Sequence, residues 1–416
     1  HVLNGVDGKL IWKYNAHNPG VEGCNDVAPL IYDINGDGAP EVIVPGSCQD
    51  KTFCFDGATG KIIWEINTRG SDSPPTIADI DGDGRLEILH GEFNGYVICI
   101  DALTGKQKWE ISVAKNSWVQ TAPTIVDLDG DGDLDFVVAT WHFDKRDSIY
   151  AFRAKDQKKL WAYPVHHHIY HGTTVTDLDH DGIPDLLIGS WNDTLYCLNG
   201  ADGTAQWKFA GNTGAGIYAP ATVADIDNDG ICEILTASYN KVFALTPSGK
   251  IKWQYIIPGT DYTFRGFAVA DLTGDQYLDI VFGTYRGKLI ALNGKDGKNI
   301  WKVNVDKDYH AEWHIWGVAE SPLIVDDKVI CTPGGSTTSV VAFDKMTGKL
   351  VWQSACVGGQ RSYVSPIIYE YKNFRYILAA TATTLIALEP ATGKVAWTFK
   401  YYDGAKWDQP GLIWAN

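Results

Sequence analysis

The chain alternates short apolar runs with clusters of Gly, Asn and Asp, and it does so at a regular period. One period reads Ala-Pro-Leu-Ile-Tyr over 28–32, Glu-Val-Ile-Val over 41–44, Thr-Phe-Cys-Phe over 52–55 and Lys-Ile-Ile-Trp-Glu-Ile over 61–66. These runs are short, rich in β-branched or aromatic residues and bounded by turn formers, a pattern that predicts four strands, here lettered a to d. No stretch sustains a helical period. Two signatures mark the repeat. A nine-residue acidic loop joins a to b: Asp33-Ile-Asn-Gly-Asp-Gly-Ala-Pro-Glu41, then 79–87, 127–135, 177–185, 225–233 and 271–279. A Gly turn leads into the strand-d Trp, which recurs at 12, 64, 109, 161, 207, 253, 301, 352 and 397.

Four strands in each repeat of 45–52 residues have the dimensions of a propeller blade. The expected fold is all-β, a single β-propeller domain over 1–416 with eight blades over 15–400. Residues 1–14 supply a surplus c–d hairpin, and 409–416 read as one more strand a. Three arrangements stay open for these ends: lying against an eight-bladed ring, making a defective ninth blade, or pairing with another copy as a homo-oligomer or filament.

Each acidic loop places carboxylates, or an oxygen-bearing substitute, at positions 1, 3, 5 and 9. The candidate ligands are Asp33, Asn35, Asp37 and Glu41; Asp79, Asp81, Asp83 and Glu87; Asp127, Asp129, Asp131 and Asp135. The series continues with Asp177, Asp179, Asp181 and Asp185; Asp225, Asp227, Asp229 and Glu233; Asp271, Thr273, Asp275 and Asp279. A hard cation such as Ca²⁺ takes six to eight oxygens, and a tight loop supplies them from alternate side chains, a carbonyl at position 7 and the closing carboxylate. Gly at position 6 permits the reversal, except in the last loop, where Gln276 stands there. That loop, with Thr273 at position 3, is expected to be the weakest site. Blades seven and eight carry Val325-Asp-Asp-Lys and Tyr369-Glu-Tyr-Lys instead and are expected to bind nothing there.

The loop spacing resembles the start of an EF-hand, but a strand follows position 9 where an EF-hand continues to position 12 and a helix. It is similar to the FG-GAP (integrin α-type) propeller repeat over residues 28–285. The turn-plus-Trp signature, as in Thr104-Gly-Lys-Gln-Lys-Trp109, resembles the tryptophan-docking repeat of pyrroloquinoline-quinone (PQQ) propellers over nearly the whole chain. That resemblance implies eight blades, with each Trp docked between neighbours. It also implies an adjacent Cys pair beside any quinone, and none of the eight Cys are adjacent. No PQQ is therefore expected, and a PQQ-dependent dehydrogenase ranks last among the functional readings.

Charge agrees with the metal reading. Positions 1, 3, 5 and 9 hold 22 of the 51 acids, and six Ca²⁺ would bring the net charge from −16 to −4. The acidity excludes nucleic acid as a natural partner, and no apolar run is long enough for a membrane span. A start at His1 suggests a processed, secreted or cell-surface protein. Cys54, Cys99 and Cys197 read as small core residues of strand c, and Cys232 and Cys331 as the same in strand b. Cys24, Cys48 and Cys356 fall in loops, the first two placed for a disulfide.

The b–c and d–a loops gather on the face opposite the acidic loops. Candidate ligand-face residues there are Trp118, Trp141, His142, His166, His168, His171, Trp191, Arg265, His310, Trp313, His314 and Arg361. The histidines admit a transition-metal site, acid–base work with a carboxylate such as Glu312, or plain loop packing, which is favoured. The expected function is a Ca²⁺-binding adhesion or scaffold module for other proteins or polysaccharide, more a binder than an enzyme. The alternative is a polysaccharide lyase-like enzyme using the aromatic face.

Overall fold

The computed structural model describes residues 1–15, 27–47, 49–141, 148–311 and 320–401. Among them the chain forms eight four-stranded antiparallel sheets, each in the chain order a-b-c-d, and one two-stranded hairpin, Val2–Leu3 with Leu10–Trp12. The expected class, an all-β propeller of four-stranded blades, holds. In the first blade the strands are Leu30–Tyr32, Glu41–Pro45, Lys51–Asp56 and Ile62–Asn67, each within two residues of the sequence reading. The surplus strand at 409–416 and the Cys24–Cys48 pairing fall outside the described residues.

The chain divides into two compact units. The first is built on Ile11–Pro220 and holds four blades. Strands b and c are buried on both faces, as in Glu87–Glu92 and Tyr96–Asp101, so they are near-continuous apolar runs and do not alternate. The core lies between successive blades: Ile43, Cys54 and Trp64 pack with Ile88, Ile98 and Ile100 of the next one. Two docking Trp of this unit also donate their indole N–H to the following blade's c–d turn. Trp64 reaches Ala102 O at 2.9 Å and Trp161 reaches Gly200 O at 2.7 Å. Gly203 turns at φ +69 directly beneath Trp161, and a Cβ there would come within 2.4 Å of the ring.

The second unit, Leu3–Leu10 with the chain from Ala221, holds the other four blades and repeats this architecture. Trp253 donates to Gly294 O at 2.6 Å, Trp352 to Pro390 O at 3.0 Å and Trp397 to Gly5 O at 3.1 Å. A short helix, Val305–Tyr309, follows strand d of the sixth blade, where only strands and loops are expected from sequence. Asn304 caps it by accepting from Lys307 N, and Asp306 and Asp308 sit in its first turn, which favours the positive end of the helix dipole.

One local feature recurs in all eight blades. The c–d register slips by one residue just before the docking Trp, as where Trp109 faces Cys99 but Gln107 faces Ile100. The residue at the slip, Lys108 in that blade, is the extra residue of a β-bulge, a device that re-aims a side chain.

Candidate functional site

The acidic loops close on themselves through one recurring bond. The position-9 carboxylate accepts the backbone N–H of position 2 in all six. Glu41 takes Ile34 N at 2.9 Å, Glu87 takes Ile80 N at 3.1 Å and Asp135 takes Leu128 N at 3.0 Å. Asp185 takes Leu178 N at 2.9 Å, Glu233 takes Ile226 N at 3.1 Å and Asp279 takes Leu272 N at 3.2 Å. All six closing carboxylates are buried. Burial pushes the acids of Glu41, Glu87, Asp185 and Asp279 above their ordinary range, and Asp135 to about 6.

Position 1 organises the turn from the other side. Asp33 Oδ1 accepts Gly36 N at 2.8 Å and its Oδ2 accepts Gly38 N at 2.9 Å. This brings the acids together: Asp79, Asp81 and Glu87 each offer an oxygen within 4.8 Å of the others, as do Asp127, Asp129 and Asp135. Asp177, Asp179 and Asp185, then Asp225, Asp227 and Asp229, then Asp271, Asp275 and Asp279 form equivalent groups. In the first loop Asn35 replaces an acid and donates to Glu41 Oε1 at 3.0 Å. Thr273 in the last loop donates to Asp279 Oδ2 at 3.3 Å. The oxygen donors of these groups suit a hard divalent cation in their chemistry.

Two features of these loops escape a reading of the sequence. Position 4 is left-handed as well as position 6, held by Gly36, Gly82, Gly130 and Gly274 but by His180 (φ 61) and Asn228 (φ 57) elsewhere. Gln276 takes φ 74 at position 6, where the other five loops use Gly. Cys232 also departs from expectation. It lies exposed at position 8 of its loop, one residue before strand b begins at Glu233, whereas Cys331 is buried within its strand as expected.

The aromatic candidates gather within each unit. In the first, Trp118 and Trp141 exchange backbone bonds of 2.9 and 2.8 Å, and Trp141 stacks on His168 at 4.1 Å. Trp191 meets Trp141 edge-on at 5.0 Å and Tyr218 at 5.1 Å, while Phe93 lies 5.0 Å from Trp118. In the second unit Tyr239, Tyr262 and Tyr285 stack at 5.0 and 4.6 Å. Phe93, Trp141, Trp191, Tyr239 and Tyr285 repeat at the spacing of the acidic loops, a signal that would have added Phe93 to the candidates. His166 and His310 are exposed, both with positive φ. His171 is half-buried, with its ring 4.9 Å from that of Tyr170. Arg265 lies over the Phe264 ring at 5.1 Å. Among the described residues no histidine belongs to a group of three potential metal ligands. His142, Trp313 and His314 lie outside the described residues.

Arg361 is not on an exposed face at all. It is 2% exposed, donates to Thr332 O at 2.5 Å and pairs with Asp306 at 3.3 Å. With Lys288, Glu320, Cys331 and the backbone of Gly283 and Gly287 it lines a cavity of about 10 Å³ within the second unit, room for a water-sized guest. Glu320 Oε1 accepts Thr332 N at 2.8 Å, and its Oε2 is buried without a hydrogen bond. Burial raises this acid to about 7, only partly offset by Arg361. Sequence reasoning missed Glu320, since a lone Glu at the end of a loop carries no pattern.

The family profile described as outer membrane protein assembly factor BamB matches residues 1–163 and 278–405, and the FG-GAP-like repeat matches 177–236 and 225–282. The quinoprotein alcohol dehydrogenase PedH of Pseudomonas putida is 35% identical over 136 residues, 30% of this chain and 21% of that protein. The chain thus spans about a fifth of the length of that curated relative. The structure of the quinohemoprotein alcohol dehydrogenase of Comamonas testosteroni superposes with a TM-score of 0.58 at 14% identity, covering 94% of this chain and 76% of that one. BamB of Moraxella catarrhalis gives 0.52 at 15% identity, covering 88% and 93%.

These likenesses overturn two expectations. The adhesion or scaffold module, with a lyase as alternative, gives way because the matched relatives are quinoprotein dehydrogenases and BamB. The expectation of no PQQ falls with it, since the relatives that match in sequence are quinoproteins. With the profile matching well over half of its residues, the chain belongs to the PQQ-repeat propeller family described as outer membrane protein assembly factor BamB.

Proposed function

We propose that this chain is a quinoprotein-type propeller, a dehydrogenase-like domain that takes PQQ and oxidises an alcohol. The observation that carries the reading is the 35% identity to a quinoprotein alcohol dehydrogenase, in a chain whose fold also superposes on one. The structure also holds a buried polar group around Glu320 in the second unit. Arg361 is paired with Asp306 and Lys288 with Asp261, while Glu320 Oε2 is an unsatisfied acceptor. The cavity admits only a water-sized guest, so the ring system itself is not placed here. No two cysteines are adjacent, so no vicinal disulfide takes part.

When bound, the quinone supplies the two-electron acceptor. Arg361, fixed by Thr332 and Asp306, holds a permanent positive charge in a buried place, where electrostatic interactions are strongest. Glu320, at about 7, can hold or release a proton near neutral pH, as a general acid–base group must. Equilibrium dialysis with PQQ and Ca²⁺, followed by dye-linked alcohol oxidation, tests the reading. Stoichiometric uptake with turnover supports it; no uptake removes it.

The acidic loops belong to the same proposal in a structural role. Their donor sets suit Ca²⁺ or a similar hard ion, which would neutralise the crowded carboxylates and fasten each blade's a–b turn. The family profile favours a second reading, a propeller that engages a protein partner as the assembly factor BamB does by its name. No helix among the described residues is long and apolar enough to cross a membrane.

A further inference from the structure

The bulge before each docking Trp has a consequence for the acidic loops of two blades. The extra residue is Ile63, Lys108, Leu160, Gln206, Lys252 and Ile300 in the six blades that carry such loops. In the second blade Lys108 Nζ lies 2.7 Å from Asp81 Oδ2 and 2.8 Å from Glu87 Oε1, with Asp83 at 3.6 Å. In the fifth Lys252 Nζ lies 2.6 Å from both Asp227 Oδ2 and Glu233 Oε1. Each ammonium therefore ties position 3 to position 9 of its own loop. The remaining oxygen of position 3, Asp81 Oδ1 or Asp227 Oδ1, is buried with no hydrogen bond. The lysine takes one oxygen of the carboxylate and leaves the other without a hydrogen bond.

We propose that Lys108 and Lys252 are built-in counter-ions that keep these two loops closed when no divalent cation is bound, one loop in each unit. The inference rests on the reading of the loops as divalent-cation sites. Three or four carboxylates in one turn repel one another, and an ammonium held between two of them offsets part of that repulsion without any ion from solution. Gln206 does the same without charge, donating to Asp185 Oδ1 at 2.7 Å. The loops at 33–41, 127–135 and 271–279 have Ile63, Leu160 and Ile300 at the bulge, which bring no charge. A small strand-c residue gives the reaching side chain room: Cys197 Sγ lies 3.3 Å from Gln206 Oε1, and Cys99 and Ala244 stand at the same register opposite Trp109 and Trp253. Lys108 and Lys252 are positioning residues, acting on the ligands rather than on the ion.

Hydrogen exchange on the full chain, with Ca²⁺ and in EDTA, tests this loop by loop. Chelation should speed amide exchange about tenfold or more in 33–41, 127–135 and 271–279, and less than about threefold in 79–87 and 225–233. Lys108→Met and Lys252→Met should make their own loops as sensitive to chelator as the others, while exchange in Ca²⁺ stays as in the parent. Lys108→Arg should restore the insensitivity. If 79–87 and 225–233 open in EDTA as far as the rest, the counter-ion role is wrong, and the unmodified protein alone decides this. If no loop in any variant distinguishes Ca²⁺ from EDTA, the metal reading itself fails.

Discussion

Lys108 Nζ sits 2.8 Å from Glu87 Oε1, on a carboxylate with no exposed side-chain surface. The pair shows how these loops are organised. The closing acid is buried to fasten the turn, and its charge then has to be met by an ammonium or by an ion. Where the chain supplies no ammonium, we assign that part to a divalent cation. Ca²⁺ should therefore raise the melting temperature, and excess EDTA should lower it by several degrees, as expected when a ligand binds only the folded state. A scan unchanged between the two conditions would remove the structural metal role.

Trp161 is 8% exposed, its indole N–H is bonded to Gly200 O at 2.7 Å, and it belongs to a core cluster with Leu186, Ile188 and Leu198 of the next blade. Trp161→Ala should cost about 3–5 kcal/mol in denaturant unfolding, from lost burial and the cavity left behind. Trp161→Phe keeps most of the ring and should lose less, about 1–2 kcal/mol, since the Gly200 carbonyl loses its donor. Equal costs for the two would mean that the ring's burial is not what joins these blades.

Gln276 holds φ 74 where five other loops have Gly. A left-handed backbone costs a side-chain-bearing residue about 1–2 kcal/mol, against somewhat less than 1 kcal/mol for the extra freedom glycine loses on folding. Gln276→Gly should thus stabilise the chain by roughly 0.5–1 kcal/mol in Ca²⁺. A loss of stability on that substitution would show that the Gln side chain has a role of its own.

Glu320 is held at about 7 by burial, above the ordinary 4.5. The folded state therefore binds this proton more tightly than the unfolded state, and folding is penalised as pH rises through that interval. Glu320→Gln keeps an acceptor for Thr332 N and removes the penalty. The variant should be more stable than the parent at pH 8, by on the order of 2 kcal/mol, and the two should converge near pH 4.5. A constant difference across pH would contradict a buried, proton-holding Glu320.

The blades and the acidic loops were legible in sequence because their causes are local. Runs such as Glu-Val-Ile-Val at 41–44 name a strand, and Asp at alternate positions names a tight acidic turn. Three things were not legible, each for a physical reason. The bulge that re-aims Lys108 is a matter of pairing register, which strand composition does not encode. The helix at Val305–Tyr309 is a single capped turn, too short to show a period. Arg361 and Glu320 are a buried polar group assembled from distant loops, and Arg361 was misread as a surface residue because charged side chains are seldom buried without partners. Its partners, Asp306 and Thr332, lie 55 and 29 residues away.

The quinone reading is tested most directly by adding PQQ to the purified chain in Ca²⁺ and following the cofactor's absorbance with a dye acceptor and a primary alcohol present. The proposed function predicts saturable binding of one quinone per chain, with alcohol-dependent dye reduction. Unshifted quinone absorbance at saturating concentration, with a folded, Ca²⁺-loaded chain, would contradict it.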